Sequence, residues 1–125
     1  MTRVLIVDDS PVMRHYVART LRMTGMDFAI HEAENGLVAI DKACEIRPEL
    51  IITDLTMPEM GGRELIARVH AAAGLGSTRV IVLSADRSPA LSDELMKAGA
   101  SDYLIKPVSP EHLKESLMKI IKVEV

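Results

Sequence analysis

The 125 residues predict an α/β domain in which five short parallel strands alternate with five helices. Continuous apolar runs recur along the chain, as is typical of strands buried on both faces of a parallel sheet. The longer stretches between these runs place apolar residues at helical spacing. Serine-proline and glycine-containing pairs separate the two kinds of segment and predict where helices begin.

Four of the five predicted strands are continuously apolar. They span residues 4–7, 50–52, 80–83 and 103–105. The remaining strand, Phe28–Ala33, mixes polar with apolar residues, which suits a strand at the edge of the sheet.

Five helices are predicted between and after the strands. Ser10-Pro11, Ser88-Pro89 and Ser109-Pro110 predict three helix starts, because serine caps free amides and proline is tolerated at the first helical position. Asn35-Gly36 and Gly61-Gly62 mark turns before the other two helices. Apolar stripes support the first helix (Val12, Tyr16, Val17, Leu21) and the last (Leu113, Leu117, Ile120, Ile121).

Right-handed crossovers between five βα units place helices on both faces of a doubly wound sheet. We expect the flavodoxin-like strand order 2-1-3-4-5. With 48% hydrophobic residues, the chain fits one domain over residues 1–125 and leaves no room for a second. We expect residues 122–125 to be a frayed end.

The composition argues against several classes of function. Charged residues make up 26% of the chain and the formal net charge is −3, so no basic stripe for nucleic acid is expected. The first apolar run is too short for a signal-peptide core or a membrane span. Cys44 is the only cysteine, which fits a reducing compartment. We therefore expect a cytoplasmic protein that binds neither nucleic acid nor a membrane directly.

Polar residues stand at the ends of four predicted strands. Asp8 and Asp9 follow the first strand, and Asp54 follows the third. Ser84 ends the fourth and Lys106 follows the fifth. In an open α/β sheet the functional site lies at the carboxyl ends of the strands, near the point where the strand order reverses. We therefore expect these five residues to converge on one edge.

Three carboxylates at one edge imply a cation, because aspartate side chains ordinarily have a pKa of about 4 and all three would be ionised at neutral pH. Oxygen ligands with positions left for water and phosphate suit Mg²⁺ better than calcium or zinc, and Mn²⁺ can substitute. Lys106 would supply a second positive charge to a phosphoryl group, and Ser84 a hydroxyl donor.

Four separated motifs occur in an order and a strand context that are specific only when taken together. They are Asp8-Asp9-Ser10, Asp54-Leu55-Thr56-Met57-Pro58 ending in Gly62, Ser84-Ala85, and Lys106-Pro107. Together they resemble the receiver-domain signature of response regulators in two-component signalling, over essentially the whole chain. Residues 8–14 most resemble the stand-alone chemotaxis regulators.

This resemblance implies a role for each polar residue. Asp54 would accept a phosphoryl group from a phosphohistidine of a sensor histidine kinase or phosphotransfer protein, forming an acyl phosphate. Asp9 and Asp54 would bind Mg²⁺ directly, Asp8 through water, and Thr56 through its backbone carbonyl. The downstream partner would be a motor switch, an enzyme or an output domain.

The resemblance also implies a switch. On phosphorylation the Ser84 hydroxyl would move to the phosphoryl group and Tyr103 would rotate inward, changing the face formed by the fourth helix, the fifth strand and the fifth helix. Tyr103 has a plainer alternative as an aromatic ring packed half into the surface with a wet hydroxyl. Lys106-Pro107 is expected to be a cis peptide.

The sequence departs from the family pattern in two places. Gly61 stands where an aspartate often precedes the glycine, and Ser84 replaces the commoner threonine. Thr56 and Asp86 occupy positions that in this family influence how water reaches the acyl phosphate, so the lifetime of the phosphorylated state stays open.

The residues favour a receiver that catalyses only its own phosphorylation and dephosphorylation and turns over no external substrate. Three other functions fit the residues less well. A phosphohydrolase of the haloacid-dehalogenase type needs a second aspartate two residues after the nucleophile, where this chain has Thr56. A degenerate receiver acting as a constitutive interaction module would not need the five polar residues. A nucleotide-binding Rossmann protein needs a glycine-rich loop, where this chain has Asp8-Asp9-Ser10.

Four methionines, Met57, Met60, Met96 and Met118, are expected to fill the core.

Overall fold

The computed structural model describes residues 1–72 and 74–121. Within them, five parallel strands form one sheet in the order β2-β1-β3-β4-β5, with strands and helices in strict alternation. The strands are β1 (Thr2–Val7), β2 (Phe28–Ala33), β3 (Leu50–Asp54), β4 (Arg79–Ser84) and β5 (Asp102–Ile105). The helices are α1 (Pro11–Met23), α2 (Gly36–Ile46), α3 (Gly62–Ala71), α4 (Pro89–Ala98) and α5 (Pro110–Ile121). The predicted fold and strand order are confirmed, while the expected frayed end at residues 122–125 lies outside the described residues.

All five helices begin at the predicted positions. The Ser10 and Ser88 hydroxyls each accept a hydrogen bond from an amide three residues later, at 3.3 Å. The Asn35 side chain does the same at 2.9 Å. Gly61, at the start of α3, has no side chain that could cap the helix. The departure from the family pattern at Gly61 therefore removes a capping group from the loop that follows β3.

The sheet separates two core clusters, because successive side chains of a strand point to opposite faces. In β1, Leu5 and Val7 enter the first core cluster, while Val4 and Ile6 enter the second. The first core cluster takes its helical residues from α2, α3 and α4: Ala39, Ala43, Leu65, Ile66, Val69 and Leu95. The second takes them from α1 and α5: Val17, Ala18, Leu21, Leu113, Leu117 and Ile120. Helices therefore cover both faces, as expected for a doubly wound sheet.

Several burial predictions were wrong. The apolar run of β5 predicted burial on both faces, but β5 is half-buried throughout. The reason is that β5 lies at the edge of the sheet. On α1, Val12 is 77% exposed and does not join the apolar stripe. Met96 and Met118 are exposed on α4 and α5, whereas Met57 and Met60 are buried as predicted.

Among the described residues, no helix combines the length and the apolar character needed to cross a membrane. The lone Cys44 is exposed on α2.

Candidate functional site

The predicted convergence of carboxylates is present at the carboxyl ends of β1 and β3. These strands are adjacent and parallel, with Val7 opposite Thr53, so the residues that follow in each strand are also neighbours. Carboxylate oxygens of Asp8, Asp9 and Asp54 all lie within 4.8 Å of one another. The sheet register therefore brings together three side chains that are up to 46 positions apart in the sequence.

Lys106 reaches this carboxylate cluster from β5's carboxyl end. Its Nζ donates to Asp54 Oδ1 at 3.0 Å and lies 3.5 Å from Asp8 Oδ2. Its backbone amide donates to the Ser84 carbonyl at 2.8 Å, which continues the pairing of β4 with β5. The peptide bond to Pro107 is cis, as predicted. The Lys106 ammonium thus contacts two of the three carboxylates, those of Asp54 and Asp8.

The Asp54 carboxylate is partly exposed to solvent, and hydrogen bonds fix its orientation. Its side chain is 15% exposed, and Oδ1 accepts a second hydrogen bond from the Leu55 amide at 2.9 Å. The Leu55 carbonyl in turn accepts from the Gly62 amide at 2.9 Å, which folds the loop back onto the start of α3. The carboxylate is therefore fixed in orientation while remaining open to an incoming group.

Asp8 is the most deeply buried acidic group of the site, with the residue 3% exposed. Burial raises the pKa of Asp8 above its ordinary value, and the negative charge of Asp54 adds to the increase. The Ser10 amide, which donates to Asp8 Oδ1 at 2.9 Å, and the Lys106 ammonium lower the pKa and offset part of this increase. Ionised Asp8 is therefore held in the fold at a cost in stability.

Replacing Asp8 with asparagine should stabilise the cation-free protein at neutral pH. Because the pKa of Asp8 is higher in the folded than in the unfolded chain, the folded state loses stability as the pH rises from the ordinary value of 3.8 through the raised pKa. The amide does not ionise, so Asp8→Asn escapes this loss. The stability advantage of the variant should vanish below pH 3.8 and reach a plateau at neutral pH.

Urea unfolding of both proteins across this pH range, in the presence of a chelator, measures the difference. Asp93→Asn, which removes an exposed charge on α4, is the matched control and should show no such advantage. A parent protein that equals or exceeds Asp8→Asn in stability at neutral pH would contradict the prediction.

Two contacts at the site were not predicted from the sequence. Arg14 Nη1 donates to the Asp8 backbone carbonyl at 2.6 Å, while Arg14 Nε pairs with Glu32 at 2.9 Å. The Ser10 amide bonds the Asp8 carboxylate. The Asp-x-Ser turn could have suggested the second contact, since aspartate side chains often accept a bond from the amide two residues later. No local pattern indicates the first.

The two residues expected to form a switch both contact Asp86, in the loop after β4. The Ser84 hydroxyl, in a residue only 7% exposed, accepts from the Asp86 amide at 3.1 Å. The Tyr103 hydroxyl donates to the Asp86 carbonyl at 2.8 Å. The Tyr103 ring is half-buried and packs against the first core cluster. Ser84 follows Leu83, which pairs with Asp54 across β3 and β4, so Ser84 lies at the same edge of the sheet as Asp54.

The donor set at this edge fits a cation that prefers oxygen ligands. Asp8, Asp9 and Asp54 supply carboxylate oxygens alone, within the spacing that one ion can bridge. With Lys106 as its ammonium, the cluster keeps a net negative charge, which a divalent cation would neutralise. Thr56, predicted to add a backbone carbonyl, lies exposed in the loop two residues after Asp54.

Comparisons with known proteins agree with this arrangement. The family described as "Response regulator receiver domain" matches residues 4–118. The chemotaxis protein CheY of Thermotoga maritima is 38% identical over 120 residues, which is 96% of this chain and 98% of that protein. The sensor histidine kinase TmoS of Ectopseudomonas mendocina is 33% identical over 98% of this chain but only 12% of that kinase. The solved structure of the chemotaxis response regulator CheY4 of Vibrio cholerae has a TM-score of 0.87 and 34% identity, covering 96% of this chain and 98% of that one.

Proposed function

The chain belongs to the response regulator receiver domain family, and we propose that it is a phosphorylation-activated receiver that accepts a phosphoryl group on Asp54. One observation carries this proposal. Asp54 is a partly exposed carboxylate at the end of a central strand, with two further carboxylates within 4.8 Å and an ammonium at 3.0 Å. This arrangement favours transfer of an anionic group to a carboxylate, because Lys106 together with a bound divalent cation would offset the charge of the group.

In the proposed reaction an Asp54 oxygen forms a bond to phosphorus while the bond from phosphorus to the histidine nitrogen of the donor breaks. The leaving imidazole nitrogen takes up a proton from solvent water. Lys106 and the Leu55 amide hold Asp54 Oδ1, which orients the carboxylate for attack. Ser84 would donate its hydroxyl to a phosphoryl oxygen.

The cofactor in this proposal is Mg²⁺, for which Mn²⁺ can substitute. Asp9 and Asp54 would bind it directly, Asp8 through water and Thr56 through its backbone carbonyl. When bound, the ion neutralises negative charge on the carboxylates and the phosphoryl oxygens. The three clustered carboxylates support this assignment, since hard oxygen ligands suit Mg²⁺.

The output in this proposal is a changed surface rather than a product. The Ser84 hydroxyl would leave Asp86 for the phosphoryl group, and Tyr103 would move inward as the loop after β4 rearranges. The Ser84 and Tyr103 hydroxyls both form hydrogen bonds with the Asp86 backbone, so a movement of this loop would alter both contacts. The face formed by α4, β5 and α5 would then bind a motor switch, an enzyme or an output domain.

The upstream partner in this proposal is a sensor histidine kinase or a phosphotransfer protein. Residues 1–125 would act as one receiver domain in the cytoplasm, without direct binding to nucleic acid or a membrane. The net charge of −3 and the absence of a membrane-spanning helix among the described residues are consistent with this setting. The chain would catalyse its own phosphorylation and dephosphorylation and no other turnover.

The test is the intact mass of the protein after incubation with a small phosphodonor and Mg²⁺. The parent and the matched control Asp93→Asn should each gain one phosphoryl group, whereas Asp54→Asn and a chelated parent should gain none. Asparagine retains an oxygen that can accept from the Leu55 amide, so the loop after β3 should keep its fold. No gain by a folded, metal-bound parent would overturn the proposal and favour a constitutive interaction module.

A further inference from the structure

We infer that Tyr16 is a positioning residue for phosphoryl transfer, because its hydroxyl anchors the backbone that carries Lys106. The inference rests on the proposed function and extends it to a helix outside the carboxylate cluster. The Tyr16 hydroxyl, on α1, donates a hydrogen bond to the carbonyl of Val108. Val108 comes two residues after Lys106, so this bond ties α1 to the loop between β5 and α5.

The Val108 carbonyl has little access to water. Val108 is 1% exposed and belongs to the second core cluster, against which the Tyr16 ring also packs. A buried carbonyl without a donor is unfavourable, so the loop would shift toward another partner if the hydroxyl were removed. The hydroxyl therefore determines where this loop lies.

A shift of this loop would displace the Lys106 ammonium. A lysine side chain has many rotamers, so its tip is well placed only when its backbone is fixed. On the amino-terminal side the Lys106 amide is held by the Ser84 carbonyl at 2.8 Å. On the other side the Tyr16 bond to Val108 supplies the anchor. Loss of the second anchor alone would leave Lys106 in the site but loosen its 3.0 Å contact with Asp54.

Helix α1 also holds the opposite side of the site. At its start the Ser10 amide bonds the Asp8 carboxylate, and Arg14 bonds the Asp8 carbonyl. The same helix thus positions a carboxylate through its first turn and Lys106 through Tyr16. A change at Tyr16 should disturb Lys106 and leave the carboxylates in place, which separates this role from a general loss of packing.

The experiment compares the rates at which a small phosphodonor phosphorylates Tyr16→Phe, Lys106→Met, the double variant and the parent at saturating Mg²⁺. Phenylalanine retains the ring that packs in the core. Thr20→Val is the matched control, because it removes another buried hydroxyl on α1, one that bonds the Tyr16 backbone carbonyl at 2.8 Å. We expect Tyr16→Phe to slow phosphorylation roughly tenfold, below the ~10²-fold loss that a 1 Å misplacement causes. Thr20→Val should react at the parent rate.

Two further readouts exclude a merely structural effect. In the Lys106→Met background, Tyr16→Phe should cause no further loss, since residues that act through one another are not additive. The affinity for Mg²⁺, measured by calorimetry without phosphodonor, should be unchanged by Tyr16→Phe. Equal slowing of the reaction in both backgrounds, or a parent-like rate for Tyr16→Phe, would overturn the inference.

One readout does not depend on phosphorylation. In the unmodified protein, the nuclear magnetic resonance signal of the Lys106 side chain should shift in Tyr16→Phe and stay unchanged in Thr20→Val. If the parent takes up no phosphoryl group, the proposed function fails while this shift still reports whether Tyr16 positions Lys106. An unshifted signal overturns the inference even if phosphorylation proceeds.

Discussion

The Lys106→Met variant should be phosphorylated about 10²- to 10³-fold more slowly than the parent. This is the usual loss of rate when one fixed group that stabilises a developing anion is removed. Lys106 is the cation that the described structure places on the carboxylates, 3.0 Å from Asp54 and 3.5 Å from Asp8. Methionine keeps a similar length and removes the charge. The rate of mass gain with a small phosphodonor at saturating Mg²⁺ measures the effect.

The same substitution should also change stability. Without Lys106 the three carboxylates repel one another with no compensating ammonium, so the variant should unfold at lower urea concentration than the parent when a chelator is present. Mg²⁺ should restore most of this loss. Lys97→Met, exposed near the end of α4, is the matched control for both measurements. A Lys106→Met variant that reacts at the parent rate would show that Lys106 does not stabilise the transferred group.

Much of the fold could be predicted because local signals agree with the final topology. The apolar runs predicted β1, β3 and β4, which are central in the sheet and buried on both faces. Caps such as Ser10 and Asn35 act through amides three residues away, so their effect is visible in the sequence. Of the predicted site residues, Asp8, Asp9, Asp54 and Lys106 lie together, because a parallel sheet places all carboxyl ends at one edge.

The rest depends on contacts that no local pattern contains. The apolar run in β5 predicted full burial, but only its place at the sheet edge determines how much of it is covered. Val12 fits the helical stripe of α1, yet it lies in the first turn and is exposed. The bond from Tyr16 to Val108 joins residues 92 positions apart, and the bond from Arg14 joins a helix to the end of β1.

Under the proposed function, the balance of charge at the site would determine how the fold changes between two states. Three carboxylates within 4.8 Å of one another repel in the cation-free site, and burial together with the charge of Asp54 raises the pKa of Asp8. In the proposed function a divalent cation would relieve the repulsion, and a phosphoryl group would add negative charge that Lys106 and Ser84 would offset. Moving a two-state element from mostly off to mostly on needs roughly 5.5 kcal/mol of differential interaction. New contacts of this charged kind are suited to supply it.

Gly62→Ala should destabilise the protein by about 1–3 kcal/mol, the usual cost of overpacking, and should also slow phosphorylation. A Cβ at residue 62 would lie 2.7 Å from the Asp54 carbonyl oxygen and 3.2 Å from the Leu55 Cα. Both neighbours are backbone atoms, so they cannot rotate away as a flexible side chain would. The peptide between Asp54 and Leu55 would have to move, and its amide is one of the two groups, with Lys106, that hold the Asp54 carboxylate.

Urea unfolding and the rate of mass gain with a small phosphodonor would be measured on the same preparations. Gly76→Ala is the matched control, because a Cβ at that glycine would meet nothing within 4 Å. Its stability and reaction rate should both stay close to those of the parent. If Gly62→Ala loses stability but reacts at the parent rate, the loop after β3 can yield without moving Asp54, and the orientation of the carboxylate then depends on Lys106 rather than on the Leu55 amide.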